Sequence, residues 1–140
     1  MIELIEGLPD SVVGIEAIGK VTSDDYKLVA VPAVERALAE HEKIRLIHVL
    51  GERFEGHTTS ALWDDAKLGL HMRSIQRIAV VTDYEHVRRL VKTAAWALPA
   101  DVRLFPNAAR VDAESWVSEG LEDGPEPDAA EAATSLKGDG

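Results

Sequence analysis

The sequence predicts an α/β fold, a mixed, mostly parallel five-stranded sheet with about four helices in the order β-β-α-β-α-β-α-β-α. Three observations lead there. Two short runs rich in β-branched residues, 44–50 and 78–81, read as strands buried on both faces. Helical stripes alternate with them, and strands alternating with helices imply parallel pairing through right-handed crossovers. The chain has 140 residues, 46% of them hydrophobic, which suits one core rather than two.

Residues 2–6 and 12–18 are β-rich runs parted by Gly7, Pro9 and Asp10, which predicts an antiparallel opening pair. Thr22 followed by Asp25 forms a capping-box pattern, and Leu28, Val31, Val34, Ala37 and Leu38 then recur at helical spacing up to His41. Pro32 falls inside that helix, where its missing N–H and its ring predict a kink or a restart. After strand 44–50, residues 51–57 read as a loop, and Thr58, Thr59 and Ser60 offer N-caps for a helix reaching about Met72. Following strand 78–81, Thr82 and Glu85 repeat the capping-box pattern. Val87, Leu90, Val91, Ala94, Ala95 and Leu98 then make a helical stripe stopped by Pro99. Residues 102–105 give the last strand, and Asp112 is expected to cap a final short helix that docks through Trp116 and Val117.

Acidity is unevenly spread. The chain carries 25 acids and 15 Lys or Arg, a formal charge of −10. Half of that excess lies in residues 121–140, where six acids face Lys137 alone among three glycines and two prolines. Such a segment buries too little apolar surface to offset its ordering entropy. The expected organisation is therefore a folded domain over 1–120 and a disordered acidic tail over 121–140, either a solubilising extension or an interaction tail. The acidic balance disfavours nucleic acid and anionic lipid as general partners. No run spans a bilayer and the N-terminus lacks a signal-peptide layout, so a cytoplasmic protein without integral membrane insertion is expected.

Zero cysteines exclude disulfides, thiolate metal sites and a cysteine nucleophile. The five histidines, His41, His48, His57, His71 and His86, form no metal-binding spacing, and phosphate-loop, dinucleotide and serine-hydrolase motifs are missing. No catalytic residue, metal or cofactor is assigned. His48, inside a strand, is expected to be a hydrogen-bonded sheet residue.

The candidate ligand-binding segment follows the central strand at its carboxyl end, where open α/β sheets place their sites. It offers Phe54, His57, Trp63, Asp64 and Asp65, with Thr58, Thr59 and Ser60 as either phosphoacceptors or ordinary caps. Trp63 faces the core or the wall of a pocket. On the third helix, Trp96 projects away from Val87 on the side of Arg89 and Lys92, leaving three readings: packing under a loop, a homodimer contact, or a membrane surface.

The stretches IEGLPDSVVGIEAIGKVTSDDY, PAVERALAEHEKIRLIHVLGERFEG, ALWDDAKLGL, RIAVVTDYEHVRRLVK and ALPADVRLFP resemble the bacterial SpoIIAA-like family, grouped with STAS domains and CRAL-TRIO-type lipid carriers. They cover nearly all of residues 1–120. The resemblance implies a STAS-like α/β sandwich with no established catalytic residues. Anti-sigma-factor antagonists of the STAS type are switched at the serine of an Asp-Ser-x-Gly motif. Here the corresponding region reads His57, Thr58, Thr59, Ser60, Ala61, without the aspartate-serine pair. The expected function is a non-catalytic STAS-like binding module for a protein partner or a small apolar or anionic ligand. A carrier of lipid or another hydrophobic small molecule is the alternative.

Overall fold

The computed structural model describes residues 1–57 and 72–121. Its main sheet has five strands in the order β1-β2-β4-β6-β7: β1 Ile2–Leu4, β2 Val12–Ala17, β4 Ile44–Leu50, β6 Ile75–Thr82 and β7 Asp101–Phe105. Only β1 runs antiparallel, with Ile2 opposite Ala17. The other neighbours are parallel, as alternation with helices requires. Among the described residues the predicted class and the opening antiparallel pair are both present.

A second sheet of two parallel strands, β3 Gly19–Val21 and β5 Phe54–His57, corrects the reading of 51–57 as a loop. Both strands are too short for alternation to register. Gly19 and Gly56 hold positive φ angles of 65° and 126°, and the Gly19 N–H reaches the Arg53 carbonyl at 2.7 Å.

The Thr22 capping box forms as predicted, opening α1 over Ser23–Asp25. A π-helical turn, Tyr26–Ala30, follows, and α2, Val31–Glu40, restarts beyond it. The Val31 N–H bonds the Tyr26 carbonyl, five residues back, so the wide turn delivers Pro32 to the first turn of a new helix. There its missing N–H costs nothing. The predicted restart at Pro32 is this device.

Two predicted caps are corrected. Helix α3, Glu85–Ala95, has Tyr84 as its N-cap residue with no side-chain cap. Thr82 is the last residue of β6, two positions too early, and its hydroxyl accepts from the Tyr84 N–H at 3.1 Å instead. Helix α4, Arg110–Val117, is entered through the 3-10 turn Asn107–Ala109, so Asp112 sits in its first turn rather than at its cap.

Because β2, β4, β6 and β7 are laid down side by side in chain order, the strand order never reverses. The π turn, α2 and α3 pack on one face through Tyr26, Ala30, Val34 and Val87. Helix α4 covers the other through Ala113 and Val117, both fully buried; of the residues predicted to dock it, Val117 is thus in the core and Trp116 packs half-buried against it. With no reversal among these strands, no crevice arises at a topological switch point, and the positional argument for a ligand site there loses its usual basis. Gly14 is required by this packing: a Cβ there would stand 2.5 Å from Leu8 Cδ1 and 2.9 Å from Ile5 Cβ.

Candidate functional site

Two surfaces have the make-up of contact sites, and they lie on different elements. The first is the outer face of α3. Val87 turns inward and is buried, which puts Arg89, Lys92 and Trp96 outward along successive turns of the helix. Trp96 forms the C-cap and is 84% exposed. Packing under a neighbouring loop is therefore corrected. The chain after Trp96 turns tightly, with the Ala97 and Leu98 N–H groups bonding back to the carbonyls of Ala94 and Ala95, and passes into β7 without crossing the indole.

The second is a cleft of about 380 Å³ at the carboxyl ends of β2, β4 and β6, lined by Glu16, Val49, Arg53, Val81, Asn107 and Arg110. Glu16 lies between two guanidinium groups, 3.4 Å from Arg53 and 3.5 Å from Arg110. Arg110 also pairs with Glu114 at 3.2 Å, four residues on along α4. Each cation already has a carboxylate, and Glu52 adds another acid to the lining. The cleft is thus a self-neutralised network rather than an anion trap. Among the described residues, the buried side-chain oxygen of Asn107 is an acceptor of this lining without a partner.

Phe54, predicted to contact a ligand, is 2% exposed and belongs to the core. Its ring meets Tyr84 edge-on at 5.1 Å, and the Tyr84 hydroxyl donates to the Phe54 carbonyl at 2.9 Å. The residue ties β5 to the start of α3. His57 ends β5, with only its backbone described. Thr58, Thr59, Ser60, Trp63, Asp64 and Asp65 lie outside the described residues, as does the helix predicted there.

His48 behaves as predicted for a sheet residue. It is buried, its Nε2 is 2.9 Å from the Tyr26 hydroxyl, and the two rings meet edge-on at 5.9 Å. Burial, with a smaller contribution from the Asp25 charge, pushes the Tyr26 phenol well above its ordinary value, so it keeps its proton throughout the physiological range. Among the described residues no three His, Asp or Glu side chains gather as a metal site would need. None of their helices is long and apolar enough to cross a membrane.

A family model described as SpoIIAA-like matches residues 12–118. The chain belongs to the SpoIIAA-like family. An uncharacterised protein from the DUF3478 family, solved as a crystal structure with a SpoIIAA-like fold from Shewanella loihica PV-4, is similar to this SpoIIAA-like chain at 29% identity. The likeness covers 84% of this chain and 92% of that one, with a TM-score of 0.65. No curated protein matches. The stretch matched by the SpoIIAA-like model contains both surfaces and stops before the acidic residues that begin at Glu122. Glu16, Asn107 and Arg110 escaped sequence reasoning, although a carboxylate in the apolar run 12–18 was a signal that one face of that strand meets something polar.

Proposed function

We propose that this SpoIIAA-like chain is a non-catalytic, STAS-like binding module that works by protein contact through the α3 face. The observation that carries the reading is Trp96, 84% exposed beside the exposed Arg89 and Lys92. Tryptophan and arginine dominate the energetics of protein interfaces, and a large indole left in water stands to bury most of its area on docking. Arg89 and Lys92 outnumber Glu85, the one acid that shares this exposed face of α3, so the surface around Trp96 is net positive. The fitting complement is an acidic surface with an apolar socket on a different protein.

The test begins with a photo-crosslinking amino acid at position 93, next to the face, to identify the partner, followed by binding measurements on the purified pair. Trp96→Ala is expected to weaken binding by tenfold or more, the effect of losing about 2 kcal/mol at a hot spot. Arg89→Glu with Lys92→Glu should slow association and flatten its salt dependence. Unchanged affinity in Trp96→Ala overturns the reading, as do self-association through this face, a co-purifying lipid in native mass spectrometry, or substrate turnover lost on changing Asp64 or Asp65. A second reading, a small polar ligand in the Glu16–Arg53–Arg110 cleft, draws on the unpartnered oxygen of Asn107. Such a ligand would bring a donor to that oxygen and shift the amide resonances of Val49, Val81 and Asn107.

A further inference from the structure

At the opposite, amino-terminal ends of β4, β6 and β7 lies a different cleft, of about 470 Å³. Among the described residues its lining includes Lys43, Arg45, Arg73 and Arg77, with Asp101 as the one acid. In a chain of net charge −10 this is a marked local excess of positive charge. The sheet itself creates it: Arg45 and Arg77 are paired residues of adjacent parallel strands, so two like charges stand side by side. Burial, and then the neighbouring Arg77 charge, hold the Arg45 guanidinium below its ordinary value. Among the described residues the exposed Arg73 guanidinium has no ion-pair partner, while its carbonyl accepts from Lys43 Nζ at 3.0 Å.

One acid of the chain is already seated at the rim. Glu119 places a carboxylate oxygen 3.0 Å from Arg77 and its carbonyl 2.6 Å from Arg45. Immediately beyond it the sequence continues with Glu122, Asp123, Glu126 and Asp128. At no more than about 3.6 Å per residue, the first two are within about 14 Å of Glu119 along the chain, enough to reach further into the cleft. The contact made by Glu119 thus leads directly into an acidic sequence that matches the charge of the surface beside it.

We infer that the basic cleft is a docking site for an acidic peptide and that its occupant is this chain's own segment 122–128, held as an intramolecular continuation of the Glu119 contact. Glu122, Asp123, Glu126 and Asp128 neutralise Lys43 and Arg73 and relieve the repulsion between Arg45 and Arg77. The segment thereby competes with other anions for the basic surface. The cationic cleft of an otherwise acidic protein is, on this inference, an internal receptor.

The absence of native cysteine makes the test direct, since a single cysteine introduced at Ala129 carries a nitroxide label without removing any acid. In the full-length chain at low salt, the amide signals of residues 43–45 and 73–77 are expected to lose about twofold or more intensity relative to Glu16 and Leu50 at the other end of the sheet. They should recover near 0.5 M salt, where the screening length falls well below about 10 Å. Lys43→Glu with Arg73→Glu should abolish the effect; both side chains are exposed, and a dispersed amide spectrum verifies the fold. If that variant does not fold, the reciprocal one, Glu122→Gln, Asp123→Asn, Glu126→Gln and Asp128→Asn, asks the same question. Equal intensity loss at both ends, or loss that survives either set of substitutions, overturns the inference. So does a cleft that binds inorganic phosphate or an oligonucleotide with the label effect unchanged, which would make it an open anion site.

Discussion

On one face of the main sheet, the π turn, α2 and α3 lie over Val13, Ile15, Leu46, Leu50 and Val80 in a broad apolar cluster whose notable polar pair is Tyr26 with His48. On the other, among the described residues, one helix of eight residues rests on Ile47, Val49, Ala79 and Val81. So short a helix brings little area, and its end is secured by arginines from the strands beneath it. Arg77 donates to the Trp116 carbonyl at 2.7 Å, and Arg45 to the carbonyls of Val117 at 3.1 Å and Glu119 at 2.6 Å. The Trp116 and Val117 carbonyls belong to the last turn of α4 and the Glu119 carbonyl lies just beyond it, where the helix dipole favours positive charge; that of Trp116 also accepts from the Glu119 N–H at 3.2 Å. Arg77 and Arg103 also lie against the Trp116 ring, at 5.0 and 4.7 Å from its centroid. The contrast teaches that the broad face is closed by buried area and the narrow face by cations on a helix end, so the two should fail differently.

Leu50→Ala, at a 2% exposed position of the broad face, should cost about 2–5 kcal/mol and lower the urea midpoint of the whole domain. Arg77→Ala should cost only about 1–2 kcal/mol and act locally. Amide exchange in α4 is expected to accelerate while β4 and β6 keep their protection, because the lost contacts belong to one helix end and one ring. A global loss in Arg77→Ala as large as that in Leu50→Ala would erase the distinction between the faces.

The broad face was legible in sequence because its signals are local and periodic. The capping box at Thr22, the restart at Pro32 and the apolar strand Ile44–Leu50 each depend on a few neighbouring residues. Pairings between distant short segments were not legible: β3 and β5 are three and four residues long and become strands only by meeting each other. The arginine clamp has the same character. Arg45 and Arg77 place a cation near the start of β4 and β6, a visible irregularity, but their shared target exists only once α4 is docked. Of the candidate contact residues, Trp96 with Arg89 and Lys92 could be read from helical spacing alone. Phe54 was misread because the strand that buries it was read as a loop.

The smallest expected effect separates the faces by pH. Asp25, at the entry to the broad-face helices, has its carboxyl held below the usual range chiefly by the Thr22 backbone N–H, which donates to it at 2.8 Å. Burial opposes that shift, while the terminal amine of Met1, 3.3 Å away, and the Thr22 hydroxyl support it. A carboxyl depressed in the folded state contributes stability that is complete above its unfolded value and fades as pH falls through the folded one. The stability difference between the parent chain and Asp25→Asn should therefore be about 1 kcal/mol at neutral pH and shrink as pH falls below about 4. The narrow face has no equivalent loss in its main clamp, because the carbonyls gripped by Arg45 and Arg77 carry no titrating proton. Exchange measured through an acid titration should thus loosen the start of α1 before the end of α4. The reverse order would mean that the Arg77–Glu119 carboxylate contact, rather than the carbonyl contacts, holds the short helix.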